Sequence, residues 1–269
     1  MNKMSGVENK LAAFERLLTI MDELRAKCPW DKKQTIESLR YLTIEETYEL
    51  CDAIINQDME EIKGELGDLF LHLVFYSKIA SETNSFDVSD VLNGVCDKLV
   101  ERHPHIYGDV KVTGEEEVKA NWEKIKLKNK KGKQSVLGGV PNSLPAMVKA
   151  TRMQEKARGV GFDWDNQQQV WNKVNEELQE FKAEVDAQSN EIEAEFGDVL
   201  FALTNYARFI DVNPEDALER TNKRFIKRFQ IMEKMITQDG LSLANMKLSE
   251  MDIFWEKAKE EYYIANDID

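Results

Sequence analysis

The sequence predicts an all-α fold made of two copies of one antiparallel helix bundle. Glycine and proline are scarce, at 13 and 5 of 269 residues, and neither half of the chain shows a convincing run of alternating β-branched residues. So few turn-forming residues disfavour both β-rich and disordered chains. Apolar residues make up 42% of the chain, which is enough to build a core.

An internal duplication is the second observation behind this fold class. Five short segments recur in the same order and at a nearly constant offset along the chain. They are Trp30-Asp31 with Trp164-Asp165, Glu45–Glu49 with Glu176–Glu180, Glu65–Phe70 with Glu195–Phe201, Lys98 and Arg102 with Arg224 and Arg228, and Trp122–Lys124 with Trp255–Lys257. Ordered matches of this kind predict a tandem duplication of a unit of roughly 120 residues.

The duplication places a first helical domain at residues 1–125, a linker at 126–145 and a second helical domain at 146–269. Residues 124–133 hold six lysines and almost nothing apolar, and the turn-rich segment Leu137–Pro141 follows. A basic run can bind nucleic acid, but this one has no interleaved aromatic residues and lies at a domain boundary. It therefore favours a frayed helix end and a linker.

The helices of each copy can be assigned in order. Apolar and acidic residues alternate at helical spacing over 38–56 and 170–186. Residues 65–81 and 195–210 are apolar on nearly every face, which predicts helices buried inside a bundle. Helix starts are predicted at Asp87 and at Asn213, each a capping residue, the second followed by proline. Short connections between such helices predict an antiparallel bundle in each copy.

Charge and cysteine content exclude several classes of protein. The chain has 50 Asp and Glu against 36 Lys and Arg, a net charge of −14, which disfavours non-specific nucleic-acid binding. Three scattered cysteines without a CxxC pair predict a reducing compartment, with neither a disulfide framework nor a zinc site. The apolar stretch 69–75 is too short to cross a bilayer, and the N-terminus lacks a signal-peptide core. We expect a cytoplasmic protein that binds neither membranes nor nucleic acid.

Paired carboxylates form the candidate site. Each copy has two acids three residues apart on each of two helices, so each pair shares one helix face. The second copy holds Glu177, Glu180, Glu195 and Asp198, and the parallel set is Glu46, Glu49, Glu65 and Asp68. Such pairs are common on solvated helix faces, but both are duplicated in register. Four converging carboxylates need a cation, because an unpaired buried charge is costly.

The ligand types narrow the choice of metal. None of these acids is followed by histidine three residues later, and the second copy has neither histidine nor cysteine. An all-oxygen site suits Mg²⁺, with Mn²⁺ as a substitute, and disfavours zinc, iron and copper. Magnesium is commonly bound together with substrate phosphates, so a phosphorylated ligand is expected.

Basic and aromatic residues follow at helical spacing. Arg224 and Arg228 are four residues apart, and such a pair can bind outer phosphates bidentately or pair with surface acids. Asn222 lies on the same segment, which is more basic than its first-copy counterpart with Lys98 and Arg102. Trp255 could stack on a base, although a tryptophan at this spacing is more often part of a core.

Several motifs together resemble the MazG family of nucleoside triphosphate pyrophosphohydrolases. They are Cys28-Pro29-Trp30-Asp31, the paired acids, His103-Pro104-His105 and Gly161-Phe162-Asp163-Trp164, and they cover essentially the whole chain. The resemblance implies an all-α homodimer that cuts a nucleoside triphosphate into monophosphate and pyrophosphate. It assigns the metal to the four acids of each copy, and nucleotide contacts to Lys173 through Glu177, Arg224, Arg228 and Trp255. The chain departs from the family at Glu191, where a basic residue is common.

The expected reaction is Mg²⁺-dependent attack of water at the α-phosphorus. Without histidine in the second copy the general base must be a carboxylate, and Glu176 or Glu177 is the candidate. Since a triphosphate prefers the more basic cleft, the second copy is expected to be the catalytic one. Three alternatives remain: a narrower dUTP or dCTP pyrophosphatase, a nucleotide-binding module that does not hydrolyse, and a structural helical adaptor.

Overall fold

The computed structural model describes residues 6–114, 117–118, 121–122, 125 and 135–265. Within these ranges the regular structure is helical and contains no strand, which confirms the all-α prediction. The chain divides into two compact units, residues 1–125 and 126–269. Most of the lysine-rich run at 124–133 and the first part of the predicted linker lie outside the described residues. None of the described helices combines the length and the apolar content that a membrane crossing requires.

The first unit contains five described helices: α1 (Gly6–Lys27), α2 (Ile36–Asn56), α3 (Met59–Ser81), α4 (Val88–Arg102) and the short α5 (Pro104–Tyr107). Helix α2 begins at Ile36, two residues before the predicted start, and a capping box at Thr35 precedes it. Asp87 caps α4 as predicted. The core is formed by Met21 of α1, Leu39 of α2, and Val74 and Phe75 of α3. These three helices therefore form the body of the unit.

The second unit also contains five described helices: α6 (Ala146–Arg158), α7 (Gln167–Ala187), α8 (Ile192–Phe209), α9 (Pro214–Gln238) and α10 (Leu248–Ala265). Asn213 caps α9 as predicted. Helix α8 packs against α7 and α6, and α9 packs against α10. A cluster of Met232, Ile236 and Ala258 joins α9 to α10. The two acid-bearing segments thus lie on the neighbouring helices α7 and α8.

The same turn ends the first acid-bearing helix of each unit. Gln57 follows α2 with a φ of 58°, and Gln188 follows α7 with a φ of 53°. Both are left-handed, a conformation that costs a non-glycine residue roughly 1–2 kcal/mol. The offset between these two glutamines is the one that also relates the paired glutamates of α2 to those of α7. Backbone conformation therefore follows the sequence repeat.

Helix α8 is less buried than its sequence predicts. Phe196, Leu200 and Leu203 are 49%, 42% and 40% exposed. They occupy one face of the helix, at i, i+4 and i+7. The expectation of burial on nearly every side is wrong within the unit, because α6 and α7 cover other faces of α8 and leave this apolar stripe exposed.

Candidate metal centre and adjoining cavity

Three of the predicted carboxylates converge in the second unit. One oxygen each from Glu177 and Glu180 of α7 and Glu195 of α8 lie within 4.8 Å of one another. Glu177 is buried, Glu195 is half-buried and Glu180 is exposed. In the first unit Glu46, Glu49 and Glu65 form the same arrangement. Each unit therefore presents three carboxylate oxygens at a spacing that one cation can bridge.

Asp198 lies beside this trio rather than within it. It follows Glu195 by one helical turn, is exposed, and lines the same cavity as Glu177. Its negative charge raises the pKa of Glu195. Asp198 is thus placed to complete a metal site from the cavity side.

Crowding makes the carboxyl groups harder to ionise. Partial burial raises the pKa of Glu195, and the charges of Glu180, Asp198 and Glu177 raise it further. In the first unit burial and the charges of Asp68, Glu49 and Glu65 raise the pKa of Glu46, and the pKa of Glu49 is raised in the same way. A divalent cation between the carboxylates would remove this repulsion.

Lys173 distinguishes the second site from the first. Its ammonium donates to Glu176 at 2.6 Å and to Glu177 at 2.7 Å. These two hydrogen bonds raise the pKa of Lys173, so the side chain stays charged. At the position that corresponds to Lys173 in the repeat, the first unit has Leu42. The second trio therefore has a lysine bound to its buried member where the first has an apolar residue. Glu176 forms an ion pair with Lys173 and is not a member of the trio.

The predicted phosphate and base contacts lie on α9 and α10. Arg224 donates to Thr221 at 3.1 Å, and Asn222 donates to Glu219 at 3.2 Å. The Arg228 guanidinium lies over two tyrosine rings, and its Nε and Nη2 are buried without a hydrogen-bond partner among the described residues. None of these three residues lines the cavity described below. Their nucleotide contacts stay predictions.

Trp255 takes part in the packing between α9 and α10. Its ring lies 5.2 Å from that of Phe225, and it borders the cluster of Met232 and Ile236. It does not line the cavity. This placement favours the core role that the sequence left open, and the stacking role stays a prediction.

A cavity of about 630 Å³ opens beside the acids of the second unit. Lys173, Glu177 and Asp198 lie at its wall, and most of the remaining lining is apolar. The apolar lining comes from α6, α8, the loop between α6 and α7, and the segment before α6. It includes Val136, Leu137, Met153, Ala157, Val160, Phe162, Phe201 and Ala202. The cavity therefore joins a charged cluster to an apolar pocket.

Two amides in this pocket were not found from the sequence. Gln154 of α6 is 7% exposed, and its Nε2 donates to the backbone oxygen of Phe201 at 2.9 Å. Asn205 of α8 accepts from Arg208 at 2.8 Å. Glutamine and asparagine are common surface residues, and no motif or repeat match marked these two. The burial of Gln154 against α8 and the position of Asn205 on the cavity wall are what single them out.

An ion pair holds the loop between α6 and α7 against α8, beside the pocket. Arg208 binds Asp163 with both terminal nitrogens, one of them at 2.8 Å, and the Trp164 backbone N–H donates to the same carboxylate at 2.9 Å. Burial opposes ionisation of Asp163, but the hydrogen bonds from Arg208 and Trp164 outweigh it and lower the pKa of Asp163. The loop carrying Phe162 and Trp164 is thereby fixed against α8.

Larger side chains occupy the corresponding sequence positions in the first unit. When the two copies are aligned on their acidic pairs, His72 replaces Ala202 and Phe75 replaces Asn205. Both are buried, at 6% and 2% exposure. Thr43 shares hydrogen bonds with His72 Nδ1 at 3.2 Å and with the Tyr76 hydroxyl at 2.8 Å. The first unit thus keeps the acid trio but packs these positions into its core.

We expect Glu195→Gln to raise the melting temperature of the metal-free protein by about 1–3 °C near pH 7. The folded-state pKa of Glu195 is raised, so its ionised form is disfavoured by folding, and removing the charge relieves the repulsion. The gain should vanish below about pH 4, where the carboxyl group is protonated in both states. Differential scanning fluorimetry in a chelator measures both effects.

Glu193→Gln provides the matched control for this prediction. Glu193 is exposed in the first turn of α8, where a negative charge favours the helix. Its replacement should leave the melting temperature unchanged or slightly lower. A melting temperature of Glu195→Gln below that of the parent protein would contradict the crowding of these acids.

Comparison with known proteins gives a consistent result. The family model described as MazG nucleotide pyrophosphohydrolase domain matches residues 34–107 and 166–238, which contain both acid trios. The nucleoside triphosphate pyrophosphohydrolase/pyrophosphatase MazG of Thermotoga maritima is 43% identical over 91% of this chain and 95% of its own. The nucleoside triphosphate pyrophosphohydrolase of Escherichia coli K12 is 39% identical over 92% of this chain and 97% of its own. A solved structure of a mazG-related protein from Thermotoga maritima is 28% identical, with a TM-score of 0.38 over 42% of this chain and 98% of that chain.

Proposed function

Because this chain belongs to the MazG nucleotide pyrophosphohydrolase family, we propose that it hydrolyses nucleoside triphosphates to monophosphate and pyrophosphate at the second unit, with Mg²⁺. It is a hydrolase of phosphorus anhydrides. We place the active site in the second unit because the trio Glu177, Glu180 and Glu195 lies beside an open cavity there. The first unit has the trio with larger side chains in the neighbouring space, which supports the second unit as the catalytic one.

The residues present fit a magnesium ion. All donors are carboxylate oxygens, which Mg²⁺ prefers, and Mn²⁺ can replace it at such a site. Glu177, Glu180, Glu195 and Asp198 would hold the ion. When bound, Mg²⁺ neutralises charge on the phosphate oxygens during the displacement. The raised pKa of Glu195 supports this assignment, because a bound cation would offset the repulsion among the crowded acids.

The chain's own side chains provide the remaining chemistry. Water attacks the α-phosphorus, the bond to the bridging oxygen breaks, and pyrophosphate leaves. Glu176 or Glu177 accepts the proton of the attacking water, and Lys173 keeps both carboxylates in place through its ion pairs. Lys173 also lines the cavity, where its ammonium faces the phosphate end of a substrate. Arg224 and Arg228, two cations four residues apart on α9, would hold the departing pyrophosphate.

A panel of the eight standard nucleoside triphosphates tests this function. We expect pyrophosphate release with Mg²⁺, lower or comparable release with Mn²⁺, and none in a chelator. Turnover in ¹⁸O-labelled water should place the label in the monophosphate, because attack is at the α-phosphorus. Label in pyrophosphate, or release of inorganic phosphate, would contradict the proposal. Turnover confined to dUTP or dCTP would identify the narrower enzyme, and binding without turnover the non-hydrolysing module.

The exposed stripe on α8 supports a homodimer. Phe196, Leu200 and Leu203 form a continuous apolar face, and single soluble chains rarely leave such faces uncovered. A second copy of the chain can cover the stripe with the same stripe, since twofold interfaces are self-complementary. We therefore propose that α8 contributes to a dimer interface.

Leu203→Glu should convert the dimer to a monomer, because the charge would have to be buried in an apolar interface. Light scattering coupled to size exclusion measures the mass directly. Ile264→Glu is the control, since Ile264 is 80% exposed on α10 and lies outside the stripe. A parent protein with the mass of one chain would refute the proposed dimer.

A further inference from the structure

We propose that the cavity of the second unit receives the nucleobase, and that Gln154 and Asn205 bind its hydrogen-bonding edge. The identity of the ligand as a nucleotide rests on the proposed function. The cavity, the two amides and their partners are observed independently of it. The inference assigns base recognition to α6 and α8, which carry none of the basic or tryptophan residues expected to contact the nucleotide.

The polarity of the cavity matches that of a nucleotide. Lys173, Glu177 and Asp198 stand where phosphates and their cation would lie, and the rest of the wall is mainly apolar. A nucleotide has the same division, with charge on the phosphates and a flat, largely apolar base. The volume of about 630 Å³ is within the usual range of small-molecule sites. With phosphates at the acids, the base enters the apolar part.

Gln154 offers a hydrogen-bond acceptor. Its Nε2 donates to the Phe201 carbonyl oxygen, which can only accept, so the orientation of the amide is fixed. The remaining atom, Oε1, is buried and has no hydrogen-bond partner among the described residues. A buried acceptor without a donor is unfavourable, and such groups in folded proteins are normally satisfied. A base N–H is a donor of the right kind.

Asn205 offers the complementary donor. Arg208 donates to its Oδ1 at 2.8 Å, which leaves Nδ2 as the remaining end of the amide. Asn205 is one helical turn after Phe201, so it lies on the face of α8 that Gln154 contacts. Every standard base carries an N–H donor next to a ring-nitrogen or carbonyl acceptor on its pairing edge. An acceptor from Gln154 and a donor from Asn205 match that pattern.

The loop before α7 supplies aromatic surface for the base. Phe162 and Trp164 both line the cavity and are 82% and 42% exposed. Gly161, with a φ of 88°, lets the chain turn here, and the pair Asp163–Arg208 fixes the loop. Stacking an exposed aromatic ring at a cavity rim on a base is energetically favourable. The aromatic rings of this loop therefore provide the stacking contact for the base.

The first unit provides an internal comparison. Phe75 and His72 occupy the positions of Asn205 and Ala202 and are buried in the core. The amide of Asn205 therefore has no counterpart at this position on α3. Each chain should bind one base, in the second unit.

The test compares AMP with purine riboside 5′-monophosphate, which lacks the amino donor. Isothermal titration with the full chain should give AMP a dissociation constant about tenfold lower, as expected when a buried acceptor is left unpaired. Gln154→Met keeps the side-chain size and should weaken AMP binding to the level of the analogue, leaving the analogue unchanged. Gln168→Met is the control, because Gln168 is exposed and bonds to Asn172. It should keep the tenfold preference.

Asn205→Phe, which installs the first-unit residue, should abolish binding of both monophosphates while the metal-linked rise in melting temperature remains. The inference is overturned by equal affinities in the parent protein, by an equal loss for both ligands in Gln154→Met, or by unchanged AMP binding in Asn205→Phe. Failure of the proposed function has a different signature. It would show as no pyrophosphate release from any triphosphate, whatever the two dissociation constants are.

Discussion

Glu177→Gln should lower the rate of pyrophosphate release by at least about 10²-fold, the usual cost of removing one strong electrostatic contact to a reacting group. Glu177 is the buried member of the trio and is bound to Lys173 at 2.7 Å. Glutamine has the same shape but no charge, so it weakens the cation site and leaves Lys173 without its buried partner. The measurement is kcat and KM on the best substrate of the panel at saturating Mg²⁺.

Glu46→Gln is the matched control, because Glu46 occupies the same place in the first-unit trio. It should leave turnover nearly unchanged, since Phe75 and His72 fill the neighbouring space. Activity lost only in Glu46→Gln would move catalysis to the first unit. Full Mg²⁺-dependent activity in Glu177→Gln would remove Glu177 from the site.

Arg208→Met should lower the free energy of unfolding of the second unit by about 2–4 kcal/mol, because it removes both charge-assisted hydrogen bonds of the largely buried Asp163 and leaves Arg158, at 3.7 Å, as its remaining cation. The side chains of Arg208 and Asp163 are 14% and 21% exposed, so the full cost of a deeply buried pair is not expected. Such a loss corresponds to a melting temperature lower by about 5–12 °C. Urea unfolding and calorimetry measure the two quantities.

The same variant has a defined pH dependence. The hydrogen bonds from Arg208 and Trp164 lower the pKa of Asp163 in the folded protein against the effect of burial. Its stabilisation is therefore fully present above the unfolded pKa, near 4, and is lost as the pH falls through the folded value. The difference between parent and Arg208→Met should shrink below about pH 4.

Lys78→Met is the control in the first unit. Lys78 corresponds to Arg208 in the repeat and pairs with Asp22 at 2.6 Å, but the two side chains are 31% and 63% exposed. A pair this accessible to solvent contributes about 1 kcal/mol or less. Equal losses in the two variants would contradict the view that the Asp163 pair holds the cavity loop.

The acid trios could be predicted because their spacing alone places them. Residues three apart share a helix face, and two such pairs on consecutive helices meet when a short turn joins them. The turns after Gln57 and Gln188 are of this kind. The helices and the duplication follow from the same periodicity, so local sequence was sufficient for them.

The cavity could not be predicted, because it depends on contacts between residues far apart in sequence. Gln154 and Phe201 are 47 residues apart, and Asp163 and Arg208 are 45 apart. Periodicity reports which face of a helix is apolar, but not which helix covers it. For that reason the sequence predicts an α8 that is covered on nearly every face, whereas Leu200 and Leu203 are exposed.

The acids and the residues that shape the apolar part of the cavity are different residues, and this separation bears on how the enzyme can evolve. Positions 177, 180 and 195 carry the carboxylates, whereas 154, 202 and 205 shape the pocket. Substitutions in the wall can change the accepted base without removing a carboxylate. The first unit shows one result of such change, since it keeps its three glutamates with Phe75 in its core. After the duplication, selection could thus refine substrate choice in one copy while the other kept only its acids.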